Sequence, residues 1–193
     1  MVGKEASFSF AEIFKDFSGC ASIKGIGVFS QTTPKDRPMG VDYWAPGVTA
    51  AEVEVDRETG EIRVLQYSFV GDAGKAIHYL SAQRQVEGGA VLGIGIALFE
   101  ELFYQDGQLQ NADSFQYRVP VPGDIPESFH FTLLEEGNGP GPFGSKGIAQ
   151  VSITGAAPAI GNAICDALGV HIKSTPFHPE KILRALGRLE IQK

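Results

Sequence analysis

The sequence predicts an α+β fold, and three features predict it. Residues 51–70 alternate apolar and polar side chains on either side of a short glycine-containing turn, which is the pattern of a β-hairpin. Residues 85–104 are apolar at Val86, Ala90, Val91, Ile94, Ala97, Leu98, Leu102 and Phe103, with little polar face before Glu100 and Glu101. That density marks a core helix. Around these two elements, short strands and three or four helices follow one another with no repeat or low-complexity segment.

Composition suits one compact piece. A chain of 193 residues, 43% of them hydrophobic, suits a single domain over 1–193 and excludes disorder as the main state. A net charge of −7 argues against nucleic acid or an anionic membrane as partner, since both attract basic surfaces. The two cysteines, Cys20 and Cys165, are isolated, so neither a disulfide framework nor a Cys-x-x-Cys metal site is available. With no secretion signal legible at the N-terminus, a reducing, cytoplasmic setting is expected.

In chain order, residues 8–17 suit a short helix capped by Ser7 or Ser9, with Phe10, Ile13, Phe14 and Phe17 on one face. Residues 25–30 suit a strand. Residues 31–46, with three prolines and the only tryptophan, Trp44, suit a connecting loop. After the hairpin, Gly71-Asp72-Ala73-Gly74 makes a turn. His78, with no histidine or cysteine at metal-ligand spacing nearby, reads as structural. Gly89 and Gly93, four apart in the core helix, admit close approach of a neighbouring element or a cofactor. Asp106-Gly107 is a turn, 108–110 and 117–119 are brief extended pieces, and 129–134 is a strand. Beyond a glycine-rich loop, 151–164 forms a buried helix with Pro158 near its first turn. Residues 170–174 then suit a strand, and Pro179 opens a helix over 180–189.

The glycine-rich loop, 139–150, holds Gly139, Gly141, Gly144 and Gly147 and leads into a helix, an arrangement that can cradle an anion. A phosphate-binding P-loop needs Gly-Lys-Ser/Thr at its end, but Lys146 sits between Ser145 and Gly147. Gly139-x-Gly141-x-x-Gly144 formally matches a dinucleotide fingerprint, yet Pro140 and Pro142 fill its gaps and no helix opens at the third glycine. The plain alternative is a surface loop whose glycines make turns.

Gly-Pro-Phe-Gly-Ser-Lys-Gly-Ile-Ala-Gln over 141–150, followed by Ala-Pro-Ala-Ile-Gly-Asn-Ala-Ile over 157–164, resembles the C-terminal molybdopterin-binding region of the xanthine dehydrogenase and aldehyde oxidase family. Two upstream stretches resemble it in the same order: 51–65 with Gly-Asp-Ala-Gly-Lys-Ala-Ile over 71–77, and Gln-Val-Glu-Gly-Gly-Ala-Val-Leu-Gly-Ile-Gly over 85–95 with Glu100 and Glu101. The likeness covers 45–187, and 1–44 is expected as an N-terminal extension of the same domain. It implies a molybdenum–molybdopterin cofactor held in part by Gln85, Gly144, Ser145, Lys146 and Gly147, with no protein ligand to the metal from this chain. It implies hydroxylation of an aldehyde or N-heterocycle in a complete enzyme. The expected partners are the remaining molybdopterin-binding portion or large subunit, with iron–sulfur and flavin subunits.

Three departures qualify this. At Gln150 the family typically has a glutamate, which the resemblance implies is the general base during attack on an electron-poor carbon. A carboxylate can take that proton and a neutral amide cannot. A second family glutamine, seven residues after Gln85, is replaced by Leu92, and the usual Ile-Asn-Pro is replaced by Ile77-His78-Tyr79. Other contacts that relatives supply from upstream are absent from this sequence. The isolated chain is therefore expected neither to hold the cofactor nor to turn over. Beside the oxidoreductase component stand a structural or assembly subunit that kept the fold without its base, and a free small-molecule binding module.

Overall fold

The computed structural model describes residues 12, 25–28, 43–113 and 115–189. The chain divides into two compact units, Met1–Thr33 and Pro34–Lys193, and all that follows concerns the second. The helix expected over 8–17 lies outside the described residues apart from Glu12, as does most of the loop expected over 31–46. Of the strand expected over 25–30, residues 25–28 are described and form none, because no described segment offers them a ladder.

The hairpin is present and longer than its sequence signal. Strand β1 (Gly47–Val55) pairs antiparallel with β2 (Ile62–Asp72), and a register shift at Glu52/Val53 lets the inward set change from Val64 to Tyr67 and Phe69. In the turn, Asp56 accepts main-chain N–H bonds from Glu58 and Thr59, which hold its carboxyl below the usual range. Strand β5 (Ser128–Leu134) joins the other edge of β2 in parallel, giving the order β1-β2-β5. Between them, β3 (Tyr104–Gln105) and β4 (Gln108–Leu109) make a small hairpin on the Asp106-Gly107 turn.

Helix α1 (Tyr79–Leu98) starts and ends six residues earlier than its apolar run indicates. His78 caps it: its Nδ1 accepts the Ser81 N–H at 3.1 Å, so the structural role read for this histidine is a helix cap. The C-terminal correction follows from Gly95, whose carbonyl takes the N–H groups of both Phe99 and Glu100 and ends the ladder. The helix expected over 151–164 is two segments, α2 (Val151–Thr154) and α3 (Ala156–Leu168), joined at Gly155, which packs on Thr49 of β1. Residues 170–174 form no strand; none of the described strands runs beside them. Helix α4 (Pro179–Ala185) is shorter than expected because Gly187, at φ 70°, closes it. The Arg188 N–H reaches Leu183 and the Gly187 N–H reaches Arg184, which is a Schellman ending.

The core lies between the sheet and the helices. It joins Tyr67 and Phe69 of β2, Val86, Ala90 and Ile94 of α1, Ile160 and Ile164 of α3, and Ile182 of α4. Phe129 and Phe131 of β5 meet edge-on at 4.5 Å between centroids and extend the cluster. Each large apolar side chain so buried contributes ~1.5–3 kcal/mol.

The open question at Gly89 and Gly93 is settled in favour of a neighbouring element. A Cβ at Gly89 would run into Ser152 Oγ, and one at Gly93 would lie 2.5 Å from Ala156 Cβ and 3.0 Å from the Ile153 carbonyl oxygen. A serine hydroxyl can turn aside, whereas a main-chain carbonyl cannot. Alanine adds about 1 kcal/mol of helix propensity in either place, against ~1–3 kcal/mol for overpacking. Gly93→Ala is thus expected to lower the urea midpoint clearly while Gly89→Ala leaves it nearly unchanged. Equal effects would contradict this packing.

Candidate functional site

The site is built on a turn and a loop that hold each other. Asp72, at the end of β2, accepts the Gly74 N–H at 2.7 Å through Oδ1 and the Lys146 ammonium at 2.5 Å through Oδ2. Both side chains are nearly sealed, with Lys146 6% and Asp72 10% exposed. The ammonium holds the Asp72 carboxyl below the usual carboxylate range, with the Gly74 bond adding to the effect against the opposing influence of burial. Main-chain bonds complete the joint: Lys146 N–H to Ala73 at 3.0 Å and Gly137 N–H to Gly74 at 2.7 Å. Gly74 sits at φ 65°, and a Cβ there would strike the Gly144 carbonyl, so this approach needs glycine.

Within the loop, the main-chain N–H groups of the residues expected to meet a ligand are all bonded. The N–H of Gly144 goes to Gly141, that of Ser145 to Pro142, and the carbonyls of Gly144 and Ser145 accept from Gly139 and Gly141. Gly147 donates to the Tyr43 hydroxyl at 2.9 Å. Gly144, Ser145, Lys146 and Gly147 thus form a scaffold, and the Lys146 charge points inward to Asp72. The unpartnered donors lie just beyond: the N–H groups of Ile148, Ala149, Gln150 and Val151 meet no acceptor among the described residues.

Gln85 stands in the second turn of α1, not at its start as the apolar run suggests, and its side chain is exposed. Gln85, Gly89 and Gly93 share one helix face by their spacing. Gly89 rests against Ser152 and lies close to the Ala149 carbonyl, so Gln85 comes one turn before the contact with the strip 149–152. Gln150, also exposed, leads that strip in the position before α2 and makes no side-chain cap. Two exposed amides therefore stand near the contact of α1 with this strip, Gln85 one turn before it on the helix and Gln150 within the strip itself. A shallow depression of about 400 Å3 opens beside Leu80, Ser81, Arg84 and Gln85. A second, of about 530 Å3, lies between the start of β1 and α3 and includes Thr49, Thr154 and Asn162.

Beneath the strip, the Tyr67 hydroxyl donates to the Ser152 carbonyl at 3.1 Å, and burial pushes the Tyr67 phenol up to about 12. Tyr67 is accordingly a fixed neutral post. Ser152 Oγ is fully buried against Gly89 with no partner. Asp72, Tyr67 and Ser152 were not singled out in the sequence as parts of the site. Asp72 alone had a visible signal, a carboxylate between two glycines; the other two look like ordinary core positions. No group of three potential metal ligands exists among the described residues.

Residues 1–126 match the family described as the molybdopterin cofactor-binding domain. The chain is 36% identical over 190 residues, 97% of its length, to the probable hypoxanthine oxidase XdhD of Escherichia coli (strain K12), of which it covers 19%. It is 38% identical over 139 residues, 70% of its length, to the 6-hydroxypseudooxynicotine dehydrogenase complex subunit gamma of Paenarthrobacter nicotinovorans, covering 18% of it. The crystallised aldehyde oxidoreductase from Desulfovibrio gigas superposes with a TM-score of 0.68 at 34% identity, over 74% of this chain and 15% of that one. The chain thus spans about a fifth of the length of these curated relatives.

Proposed function

The chain belongs to the molybdopterin cofactor-binding domain family, within the xanthine dehydrogenase and aldehyde oxidase group, and from that premise we propose that it forms one wall of a cofactor cleft completed by further polypeptide. The observation that carries this is the placing of the exposed Gln85 and Gln150 near the contact of α1 with the strip 149–152, next to the free N–H groups of Ile148–Val151 (residues 148–151). These residues fit a phosphorylated pterin. A carboxamide donates and accepts at once, as a pterin edge requires, and successive N–H groups suit phosphate oxygens. When bound, the cofactor supplies two-electron redox chemistry that no side chain here offers. The chain's own part is to bind and orient: Gln85 through its amide, and the strip 148–151 through its main chain. The Asp72–Lys146 pair and the Tyr67 hydroxyl fix that strip from below.

The complete enzyme, on this reading, hydroxylates an aldehyde or N-heterocycle in the cytoplasm. Its electrons leave through iron–sulfur and flavin subunits, since two isolated cysteines cannot hold a cluster here. The completing portion would dock where Leu80 lies exposed beside Gln85 and where the loop exposes Phe143, 84% accessible, because large exposed apolar groups mark an interface. The alternative of a subunit that keeps the fold without catalysis draws on Gln150 alone, which can orient a group but cannot take a proton.

Molybdenum and pterin analysis of the native complex is the test, together with size-exclusion and a pull-down from the native source. Near-stoichiometric cofactor in a complex with a larger chain is expected. The isolated chain is expected to carry almost none, since one wall must still meet the whole entropic cost of capture. Full molybdenum on this chain alone would overturn the view that it is incomplete, and a strictly monomeric native protein would overturn the partner.

A further inference from the structure

Strand β2 is 11 residues long, yet β5 pairs only with residues 66–72 of it. Over residues 62–65 the side of β2 turned away from β1 has no strand beside it among the described residues. Such an edge leaves N–H and C=O groups pointing outward in the spacing that recruits an extended chain. This open stretch is one wall of a cleft of about 640 Å3, whose lining includes all of residues 61–65. Leu98, Phe99, Phe103, Ile125 and Phe177 add an apolar strip to its floor, set among polar and charged side chains. The cleft lies at the C-terminal end of α1, thirteen residues and so ~20 Å along the axis from Gln85, and is separate from the cofactor wall.

The cations around it are committed. Arg118 stacks on Phe99 at 3.9 Å and donates to Asp124 at 2.7 Å, while Arg63 donates to Glu54 at 3.2 Å. His178 lies 3.2 Å from Glu101. The carboxylates of Glu61 and Glu127, also in the lining, have no partner among the described residues. The cleft therefore offers three things together: a ladder of main-chain groups, an apolar strip, and two acidic side chains free to pair.

We propose that this cleft receives an extended segment of the completing polypeptide, laid along residues 62–65 as an added strand. It would set an apolar side chain on Phe99 and Phe103 and a lysine or arginine toward Glu61 and Glu127. The inference rests on the reading that further polypeptide completes this chain, which spans about a fifth of its relatives. Four residues of open edge measure ~13 Å, enough for a strand of four or five residues. A small molecule would cover the apolar strip but leave the main-chain ladder unmet.

Backbone hydrogen exchange on the 193-residue chain and on the native complex tests this. Amides within 62–65 are expected to slow at least ~10-fold on assembly, as exposed edge amides do when a ladder forms over them. The exposed double variant Glu61→Lys/Glu127→Lys is expected to weaken capture of the large chain at least ~10-fold, and less so at high salt. Unchanged exchange at 62–65 in an intact, cofactor-loaded complex would overturn the strand while leaving the proposed function standing. Protection that appears in the isolated chain with rising concentration would assign the edge to a second copy and overturn it too. Failure to recover any large chain would sink both readings.

Discussion

Replacing Gln150 by glutamate is expected to raise hydroxylation of a simple aldehyde or N-heterocycle by the complete enzyme, by up to ~10²–10⁴-fold, the range a positioned general base supplies. The two side chains are nearly isosteric and Gln150 is exposed in this chain, so the fold should hardly notice the change. What changes is the ability to hold a proton, and two influences set where that happens. Gln150 precedes α2, whose first N–H groups are unpaired and favour a carboxylate, lowering its pKa. Closure by the completing polypeptide would desolvate the carboxylate and raise its pKa. A rate that climbs with pH through a single carboxylate-like ionisation, absent from the glutamine form, would identify the new group as base. Full activity of the native form would show that the family mechanism does not pass through this position. No gain at full cofactor occupancy would show that Gln150 does not face the reacting atoms or that another residue already serves as base.

Local pattern made the hairpin, the strand expected over 129–134 and the core helix legible, because alternation and apolar density are written in consecutive residues, whereas the parallel pairing of that strand was not. The helix boundaries were not, since they depend on a histidine cap and on a carbonyl shared by two N–H groups at Gly95. Residues 170–174 show the limit of strand propensity: Val170 and Ile172 suit a strand, but pairing needs a neighbour that tertiary structure did not provide. The site was legible as a set of motifs, while the long-range bonds that hold its loop were not. Glycines, serine and lysine in one loop suggest ligand contact, yet 73 positions separate Ala73 from Lys146, and no local rule says that the turn at 71–74 consumes that lysine and its neighbours. The N–H groups without a partner among the described residues lie at 148–151, the step from loop to helix that the sequence offered as an anion cradle. Family resemblance marked the neighbourhood, and the pairing of the turn at 71–74 with the loop became visible only in the fold.

Lys146→Met is expected to cost about 3 kcal/mol of folding stability at neutral pH, near the lower end for breaking a buried ion pair, because the Gly74 N–H still partners Asp72. The loss arises from Asp72, which would keep its charge nearly sealed from water with only the Gly74 N–H as donor. The sign with pH follows from the direction of the Asp72 shift. Its folded pKa lies below the unfolded value, so the pair contributes fully above about pH 4 and that contribution is lost as pH falls through the lower folded pKa. In Lys146→Met only the Gly74 N–H still opposes burial, so the same carboxyl rises relative to the native chain, and the variant suffers most at neutral pH and draws level with the native chain on acidification. Lys146→Met/Asp72→Asn should recover part of the loss, since no buried charge then remains. Function should follow stability here: freed from the turn at 71–74, the loop no longer fixes the strip 148–151, and cofactor occupancy of the native complex should fall with it. A Lys146→Met chain that unfolds at the native urea midpoint at neutral pH, yet still loses cofactor, would mean that the lysine serves the ligand directly and that its inward pairing with Asp72 is not what holds the wall together.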